Sequence, residues 1–457
     1  MQNIYTKIER QKQLSDLLAG KGRAVEEDIF NTYQNEAARY YQGLIAEATT
    51  SKKGEATARS LMAQAGYREL KKETITVTVY GGVRITIPSF YARKVGKKKG
   101  PLKRGPNGRG IHLLLAYWGY TNKYSPCYVD QVARCGVGSA SYDLAEAELQ
   151  AQGIVISSKQ VDHIVQVVGE EARKLGPAAL LAPGETLRGK RVELSIDGGR
   201  IRSRQTKTGR PAKDQKGPRF DTPWREPKLL VITELDEHGN KQKGTKPIYE
   251  ATMSGPEAVF TLLTTLGDTL QLNQAKEIIF VNDGATWIWN LLPRIKEHYP
   301  SVPITGILDY FHACEHITET TKAHTKKTEA AQKAWATQLA TLLRAGQFQE
   351  FVATIRAEAE NHTQPQLLNH LKYFETKKDY VHYDQYEAAG QPIGSGIVES
   401  AVKRVINGRL KAPGSFWIVD NVNRILQLRC ALMAGRWHTL MQNLRAAGPL
   451  ANSEAST

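Results

Sequence analysis

From residue 191 to residue 317 the sequence alternates short apolar runs with amphipathic stretches. Two of the apolar runs, RVELSIDGG (191–199) and EIIFVNDGA (277–285), are typical of buried strands, and each leads into an aspartate followed by glycine. The order along the chain is three strands, a helix, a strand, a helix and a strand. This order predicts an α/β fold class, with a mixed sheet and helices on its faces.

The remaining segments of this region follow from the same periodicities. We predict strands at KLLVITELDEHGN (228–240) and KPIYEATM (246–253), helices at 254–272 and 286–300, and a strand running into a helix at PITGILDYFHACEHI (303–317). A polar, helical stretch at 314–390 then interrupts the α/β pattern. The core is therefore expected to comprise 190–313 and 391–440, with an all-helical insertion between them and a tail at 441–457.

The N-terminal region is predicted to be mainly helical. Residues 1–72 have helix-like spacing, 73–110 contain a β-hairpin on a Gly-Gly turn followed by a basic loop, and 111–176 are helical. In the last stretch two amphipathic segments meet at a turn containing Gly153, and Ser157 or Ser158 caps the second segment. This is the pattern of a DNA-binding helix-turn-helix, although a plain helical hairpin has the same pattern.

The charge balance indicates a polyanionic partner. Lys and Arg number 62 against 46 Asp and Glu, a net charge of +16. Nucleic acid is the first candidate and an anionic membrane surface the second, while a basic protein with neither partner would have the same composition. The sequence has no apolar run long enough to span a bilayer and no signal-peptide pattern, so we expect a cytoplasmic protein. Its four cysteines are scattered, which argues against a disulfide scaffold or a zinc ribbon.

Three acids lie at element ends beside small residues. Asp197 and Asp283 end apolar strands and precede glycine, and Glu399 follows the motif GSGIV and opens a helix. Each has an ordinary explanation as well, since aspartate is common in turns and an acid in a first turn favours the helix dipole. Together, two Asp and one Glu could hold two Mg²⁺ (or Mn²⁺) ions, as two-metal phosphoryl transfer requires.

Four motifs carry a resemblance to a known family. IDGGR (196–200), VNDGATWIW (281–289), LDYFHACEH (308–316) and GSGIVESAVKRVINGRLKAPGSFW (394–417) occur in this order. Together they resemble a bacterial DDE insertion-sequence transposase, of the Kra group related to the Mutator-like superfamily. The resemblance covers roughly residues 190–440.

The resemblance implies a ribonuclease H-like core with Asp197, Asp283 and Glu399 as the catalytic, metal-binding acids. It implies an enzyme that binds terminal inverted repeats, cleaves DNA at the ends of its element and transfers the strand to target DNA. Double-stranded DNA would be the partner, a homodimer or larger assembly would pair two ends, and the protein would associate with the bacterial nucleoid. A ribonuclease H-like nuclease without strand transfer, or a non-catalytic DNA-binding protein derived from a transposase, are the alternatives.

The motif LDYFHACEHI adds accessory candidates. The family has an Asp-or-Cys-x-x-His motif here, which matches Asp309 and His312, with His316 one turn further on. These side chains could bind a metal, brace the site, or simply begin a helix. Asp309 is also the rival to Asp283 as second catalytic acid; we favour Asp283 because its strand-end Asp-Gly matches that of Asp197.

Basic segments near the three acids predict DNA contacts, because phosphates held at a metal site need surrounding cations. A solvent-exposed helix face is the alternative for the residues that follow Glu399. Trp417 could stack on a frayed base. The predicted DNA-binding residues are Lys97, Lys98, Lys99, Lys103 and Arg104 in the N-terminal loop; Arg200, Arg202, Arg204, Lys207 and Arg210 after Asp197; and Lys403, Arg404, Arg409, Lys411 and Trp417.

Overall fold

The structure is a computed structural model that describes residues 7–93, 110–207 and 219–447. The chain divides into two compact units, Met1–Val167 with Met441–Thr457, and Val168–Leu440. No helix within the described ranges is both long enough and apolar enough to cross a membrane.

The first unit begins with three helices and a three-stranded sheet. Its elements are α1 (Lys7–Leu18), α2 (Gly22–Thr50), α3 (Lys52–Gln64), β1 (Glu69–Thr78), β2 (Arg84–Arg93), β3 (Ile111–His112), α4 (Leu113–Tyr117), α5 (Pro126–Gly138) and α6 (Tyr142–Ala151), followed by α7 (Ser158–Leu175), which continues into the second unit.

Strands β1 and β2 form the hairpin that the alternating pattern predicted, with Gly81 and Gly82 in its turn. Both glycines have positive φ, 75° and 79°, a conformation that favours glycine over residues with a side chain. The hairpin is longer than predicted, because β1 starts at Glu69 rather than Thr74. Polar residues at the start of β1 obscure the period-2 pattern there.

Helices α6 and α7 lie where the helix-turn-helix pattern was predicted, and Gly153 between them has a φ of 81°. Ser157 caps α7: its Oγ accepts from the Gln160 N–H, and Gln160 Oε1 accepts from the Ser157 N–H. This reciprocal pair is a capping box, so the local sequence SSKQ starts the helix. DNA reading by α7 remains a prediction.

The second unit contains a five-stranded mixed sheet. Its first elements are β4 (Arg191–Gly198), β5 (Ile201–Arg202), β6 (Gln205–Thr206), β7 (Phe220–Asp221), β8 (Trp224–Arg225), β9 (Lys228–Leu235), β10 (Ile248–Thr252), α8 (Pro256–Thr269), β11 (Glu277–Asn282), α9 (Thr286–Trp289), α10 (Leu292–His298) and β12 (Ile304–Leu308). The helices that follow are α11 (Tyr310–Lys322), α12 (Glu329–Arg344), α13 (Phe348–Asn361), α14 (Gln366–Thr376), α15 (Tyr383–Ala388), α16 (Gly396–Val402), α17 (Gly408–Leu410), α18 (Val419–Met433) and α19 (Trp437–Ala447).

The strand order of the sheet is β10-β9-β4-β11-β12. Strand β9 is antiparallel to both of its neighbours, whereas β11 is parallel to β4 and to β12. The predicted order of three strands, a helix, a strand, a helix and a strand is confirmed for the large sheet. The single helix predicted at 286–300 was wrong: it is split into α9 and α10, and α10 begins with a proline in its first turn.

The helical stretch between β12 and α16 packs onto the sheet. Trp335 of α12, Phe351 of α13 and Phe374 of α14 belong to the same buried cluster as Phe280 of β11. The helices begin at Tyr310 rather than at 314. The stretch is therefore not a separate domain, because it shares one continuous core with the strands.

Two further features differ from the predicted elements. The predicted tail at 441–457 is helical up to Ala447, where α19 ends, and the rest of it lies outside the described residues. Two short strand pairs, β5 with β8 and β6 with β7, were not predicted at all. Each strand of these pairs has only two residues, too few for a periodicity to be recognised.

Arg191, at the start of β4, links the sheet to the end of the helical stretch between β12 and α16. Its guanidinium pairs with Glu277 of β11 and donates to the carbonyl oxygens of Asp236 and Glu237. It also donates to the carbonyl oxygens of Ala389 and Gly390, beyond α15. Arg191 itself is buried, so its charge depends on these acceptors rather than on water.

Replacing Arg191 with methionine should lower the free energy of unfolding by about 3 kcal/mol, because it leaves a partly buried carboxylate and several carbonyl groups without their donor. Urea denaturation of the full chain would measure the change. The exposed Arg188 provides a matched control, and its replacement by methionine should alter stability by less than about 0.5 kcal/mol. Equal effects of the two substitutions would show that the Arg191 contacts do not stabilise the fold.

Candidate active site

Three parallel strands bring acidic residues to one edge of the large sheet. Asp197 is the next-to-last residue of β4, and Asp283 and Asp309 directly follow the last residues of β11 and β12. Because these strands are parallel, their carboxyl ends lie at the same edge, where ligand sites of open α/β sheets occur. This edge is the candidate site.

Glu399 reaches the same place from α16, which packs against β4 and β9. One cavity of about 210 Å³ is lined by Ile196, Asp197, Asp283, Asp309, His312, Ser395, Val398 and Glu399. The structure therefore brings together the three acids predicted to be catalytic and two of the three accessory residues. Their catalytic roles remain predictions.

Close approach explains both glycines that follow the aspartates. A Cβ on Gly198 would lie 2.2 Å from a carboxylate oxygen of Glu226, and a Cβ on Gly284 would lie 2.2 Å from the hydroxyl of Tyr373. Both contacts are too short for a side chain as the neighbours stand; the flexible Glu226 side chain could move away, whereas the Tyr373 ring has less freedom to do so. The Asp-Gly pattern thus reflects neighbours that pack directly against the backbone beside each acid.

The glycines of the GSG motif have different environments. A Cβ on Gly394 would lie 2.7 Å from the ring of Phe311 on α11, whereas nothing lies within 4 Å of one on Gly396. Close packing at this motif therefore involves α11 and Gly394. On the sheet side, a Cβ on Gly199 would lie 2.7 Å from Ile406, in the π-helical turn after α16.

Asp197 carries the clearest electrostatic signature of the site. Burial, together with repulsion from Asp283, Glu399 and Glu226, raises its pKa to about 6, although the Gly198 N–H donates to the carboxylate. The charges of the other acids thus act on Asp197 directly. A divalent cation among them would remove this repulsion.

Asp283 makes a local turn and leaves its carboxylate at the cavity. Its Oδ1 accepts from the Ala285 N–H at 3.0 Å, and its carbonyl oxygen accepts from Trp289 Nε1. Trp289 is buried in the core beneath it. Asp283 is half-buried, and its side chain lines the cavity beside Asp197.

Asp309 is bound on both of its carboxylate oxygens. Oδ1 accepts from the N–H groups of Phe311 and His312 and so caps α11. Oδ2 accepts from the N–H of Ser395 at 2.9 Å and from the Ser395 hydroxyl. These bonds connect the end of β12 to the residue that precedes α16. Asp309 therefore braces the helix that carries Glu399, whereas Asp283 has the greater freedom to bind a metal.

The two accessory histidines lie next to each other on α11. His312 lines the cavity, and its ring centroid is 5.0 Å from that of His316. His316 stacks on Tyr373, with ring centroids 3.9 Å apart, and is not part of the cavity lining. Burial, followed by the charge of His312, lowers the pKa of His316 and so favours its neutral ring. His312 is thus the histidine closer to the acids.

The predicted DNA-binding residues that the structure describes fall into two groups. The exposed side chains of Arg200 and Arg202 lie over the ring of Trp224, and the exposed Arg204 lies over Phe220. The rings of Phe220 and Phe416 are adjacent. We call this surface, formed by Arg200, Arg202, Arg204, Phe220, Trp224 and Phe416, the arginine-aromatic ribbon.

The cations around α16 differ in their exposure. Lys403, Arg404 and Lys411 are exposed, and Lys403 pairs with Glu399 at 3.5 Å. Arg409 was predicted as a DNA contact, but it is buried, with its guanidinium 5.1 Å from the ring of the half-buried Trp417. In this conformation the buried guanidinium has little access to a phosphate, and a DNA contact by Arg409 stays a prediction.

The ring of Trp417 also has intramolecular contacts. Its Nε1 donates to the Leu410 carbonyl, and its backbone pairs with the chain at Arg202 and Arg204. Lys207, exposed, pairs with Asp221. The predicted contacts that lie outside the described residues are Lys97, Lys98, Lys99, Lys103, Arg104 and Arg210.

Comparison with known proteins gives little similarity. No protein-family model and no curated protein matches the sequence. Among solved structures, the Drosophila P element transposase strand transfer complex matches at 10% sequence identity, covering 71% of this chain and 82% of that chain, with a TM-score of 0.29. A TM-score this low supports no assignment of fold or function.

Sequence reasoning missed Asn282, which shapes the sheet edge. The main-chain pairing of β4 with β11 ends at Leu194 and Phe280. Beyond that point the buried Asn282 side chain accepts from the Ile196 N–H and donates to the Leu194 carbonyl. It spans the two strands just before their aspartates. Its position in VNDG, directly before the acid, is the only signal that the sequence offered.

Replacing Asp309 with asparagine should destabilise the protein by about 2–3 kcal/mol, because an amide cannot accept from both the α11 N–H groups and Ser395. Asp283→Asn, the matched control, should leave the unfolding free energy unchanged within about 0.5 kcal/mol or raise it, since it removes one of several mutually repelling acids. Thermal and urea denaturation would measure both. Equal destabilisation by the two variants would contradict the bracing role of Asp309.

Proposed function

We propose that this protein is a DDE transposase, a metal-dependent enzyme that cleaves DNA at the ends of its own element and transfers the strands to target DNA. The observation that carries the proposal is the cavity at the sheet edge, which is lined by Asp197, Asp283 and Glu399. These acids come from distant parts of the chain, and bringing three carboxylates together costs repulsion rather than stabilising the fold.

The donor set suits Mg²⁺ or Mn²⁺. Carboxylate oxygens are the ligands that these hard cations prefer, and the pKa of Asp197 is raised by burial and also by repulsion that a cation would relieve. Asp197, Asp283 and Glu399 would hold two ions. When bound, such ions activate the attacking water or 3′-hydroxyl and stabilise the leaving oxygen.

The architecture supports a ribonuclease H-like core. The family resemblance implies the first acid on the first strand, the second after the fourth strand and the glutamate on a helix beyond an insertion. In this chain Asp197 is on β4, Asp283 follows β11, and Glu399 is on α16, after the helices between β12 and Gly394. In chain order among the five strands of the large sheet, β4 is the first and β11 the fourth.

The arginine-aromatic ribbon is a suitable surface for DNA at this site. It begins at Arg200, three residues after Asp197, and combines exposed guanidinium groups with exposed rings. Cations bind phosphates, and rings stack on bases that are unpaired or frayed. Because two transposon ends must be joined in one reaction, we propose that a homodimer or larger assembly carries it out.

The test is DNA cleavage with the sequences that flank the gene on either side as substrate. With Mg²⁺ or Mn²⁺ the wild-type chain should release 3′-hydroxyl ends, and Asp197→Asn, Asp283→Asn and Glu399→Gln should each reduce the rate by at least about 1,000-fold. The exposed acids Asp379 and Glu237 provide matched controls as Asp379→Asn and Glu237→Gln, which should retain activity.

Pre-cut ends offered together with a target plasmid would then distinguish a transposase from a nuclease, since only the transposase joins them. Activity that survives Asp283→Asn but is lost in Asp309→Asn with its fold intact would overturn the choice of second acid. DNA binding without cleavage by any variant, wild type included, would indicate a non-catalytic protein.

The raised pKa of Asp197 predicts how metal dependence should change with pH. Below about pH 6 a proton competes with the metal for this carboxylate, so the Mg²⁺ concentration for half-maximal cleavage should rise by up to about tenfold per pH unit. Above pH 7 the protonation of Asp197 should no longer change the Mg²⁺ concentration for half-maximal cleavage. Cleavage rates measured across Mg²⁺ titrations from pH 5 to pH 8 would show the dependence, and a flat response would contradict it.

A further inference from the structure

A second group of metal-binding side chains lies among the helices between β12 and α16. It consists of His324, in the loop after α11, and Glu358 and His362, which are one turn apart on α13 and directly after it. None of these residues lines the cavity of the candidate active site. The i, i+4 spacing places Glu358 and His362 on one face of the helix end.

The distances within this group are those of a coordination shell. Glu358 Oε1 lies 3.4 Å from His324 Nε2 and 3.6 Å from His362 Nε2. Four ligands at about 2.05 Å around a tetrahedral zinc ion are about 3.3 Å apart. All three ligand atoms lie within 4.8 Å of one another, so two of the three distances are close to those of a zinc shell and the remaining pair, on His324 and His362, is at most about 1.5 Å wider.

The environment of His324 points to a ligand. Its side chain is only 1% exposed, and among the described residues neither ring nitrogen makes a hydrogen bond of good geometry, although Nε2 lies 3.4 Å from Glu358 Oε1. Leaving a buried polar atom without a partner costs about 1–3 kcal/mol, so such atoms are rare in stable proteins. A metal bound at Nε2 would satisfy one of them. Burial, followed by the Lys327 charge, lowers the pKa of His324, and the neutral ring is the metal-binding form.

The surrounding contacts hold the three ligands in place. The Gln364 side chain accepts from the Thr325 N–H and donates to the carbonyl oxygen of His362, which joins the loop of His324 to the end of α13. Gln364 is itself buried. His362 is 46% exposed, so the position between the ligands is open to solvent on one side.

Lys327 contacts the same carboxylate. Its ammonium group pairs with Glu358 Oε1 and lies 5.4 Å from the centre of the Trp335 ring. A cation is therefore already drawn to this carboxylate. The ammonium competes with a metal for the same oxygen, and removing it should strengthen metal binding.

We propose that His324, Glu358 and His362 bind one zinc ion, with a water as the fourth ligand. Two imidazoles and a carboxylate form a ligand set that zinc favours over Mg²⁺, which prefers oxygen ligands alone. The ion would fasten the loop after α11 to the end of α13. The proposal does not depend on the function of the carboxylate cavity.

The test uses the full-length chain, stripped with EDTA and returned to buffer containing excess Mg²⁺ so that the carboxylate cavity is occupied. Calorimetric titration with Zn²⁺ should show one equivalent bound, together with a rise in the thermal unfolding midpoint. His362→Gln, at an exposed position, and Glu358→Gln should each weaken Zn²⁺ binding by at least about 100-fold. Lys327→Met should strengthen it by about tenfold.

The exposed His238, elsewhere in the chain, gives a matched control: His238→Gln should bind Zn²⁺ as wild type does. Circular dichroism would establish that each variant is folded. Unchanged Zn²⁺ binding in folded His362→Gln, or no stoichiometric binding by either wild type or Lys327→Met, would overturn the proposal. Because DNA cleavage is not the readout, either result leaves the proposed function to its own test.

Discussion

The carboxylate of Asp309 joins the end of β12 to Ser395, the residue before α16, and the position of Glu399 depends on this connection. The two residues are 86 positions apart, and the chain between them forms a long helical segment, α11 to α15. Because Asp309 also caps α11, both ends of this helical segment are bound to the same carboxylate. The Arg191 contacts with Ala389 and Gly390 hold its last part at the opposite end of β4.

With this arrangement the helical segment can be long and the acids of the cavity still keep their positions. Its apolar residues join the core of the sheet, as Trp335 and Phe351 do, and its ends are fixed by buried polar bonds. Strands β4 and β11 position Asp197 and Asp283, and the end of the helical segment positions Glu399. Rigid strands and a pinned helix are the supports that a metal site needs, since ligand positions must hold within a fraction of an ångström.

The acids of the cavity make the site electrostatically unfavourable on its own. Asp197 has a raised pKa because it is buried near Asp283, Glu399 and Glu226, and its neutral form is favoured until about pH 6. A folded pKa above the unfolded value means that this group stabilises the fold at low pH and that the contribution is lost as pH rises through about 6. Groupings of this kind are typical of functional sites.

Much of the large sheet could be predicted from the sequence, because buried strands such as β4 and β11 are continuous apolar runs with clear ends. The same ends indicated Asp197 and Asp283. The sequence favoured Asp283 over Asp309 only through its Asp-Gly pattern, and it had no signal for the bonds of Asp309 to Ser395, which join distant residues. Periodicity likewise could not show that Arg409 is buried.

Other features were missed because they have no local pattern. The arginine-aromatic ribbon depends on two-residue strands and on Phe416, far along the chain from Phe220. Asn282 acts through a side chain that replaces main-chain pairing between two strands. The grouping of His324 with Glu358 and His362 depends on how α13 packs beside the loop after α11. Each is decided by tertiary contacts rather than by spacing.

The central claim is that Asp197, Asp283 and Glu399 together bind catalytic metal ions. Anomalous diffraction from crystals of the protein soaked in Mn²⁺ tests it most directly. The account predicts two peaks in the cavity, about 3.5–4 Å apart, each bound by at least one of these carboxylates, and their loss in Asp197→Asn. An ordered core with no manganese between the three carboxylates, at saturating metal and above pH 7, would contradict it.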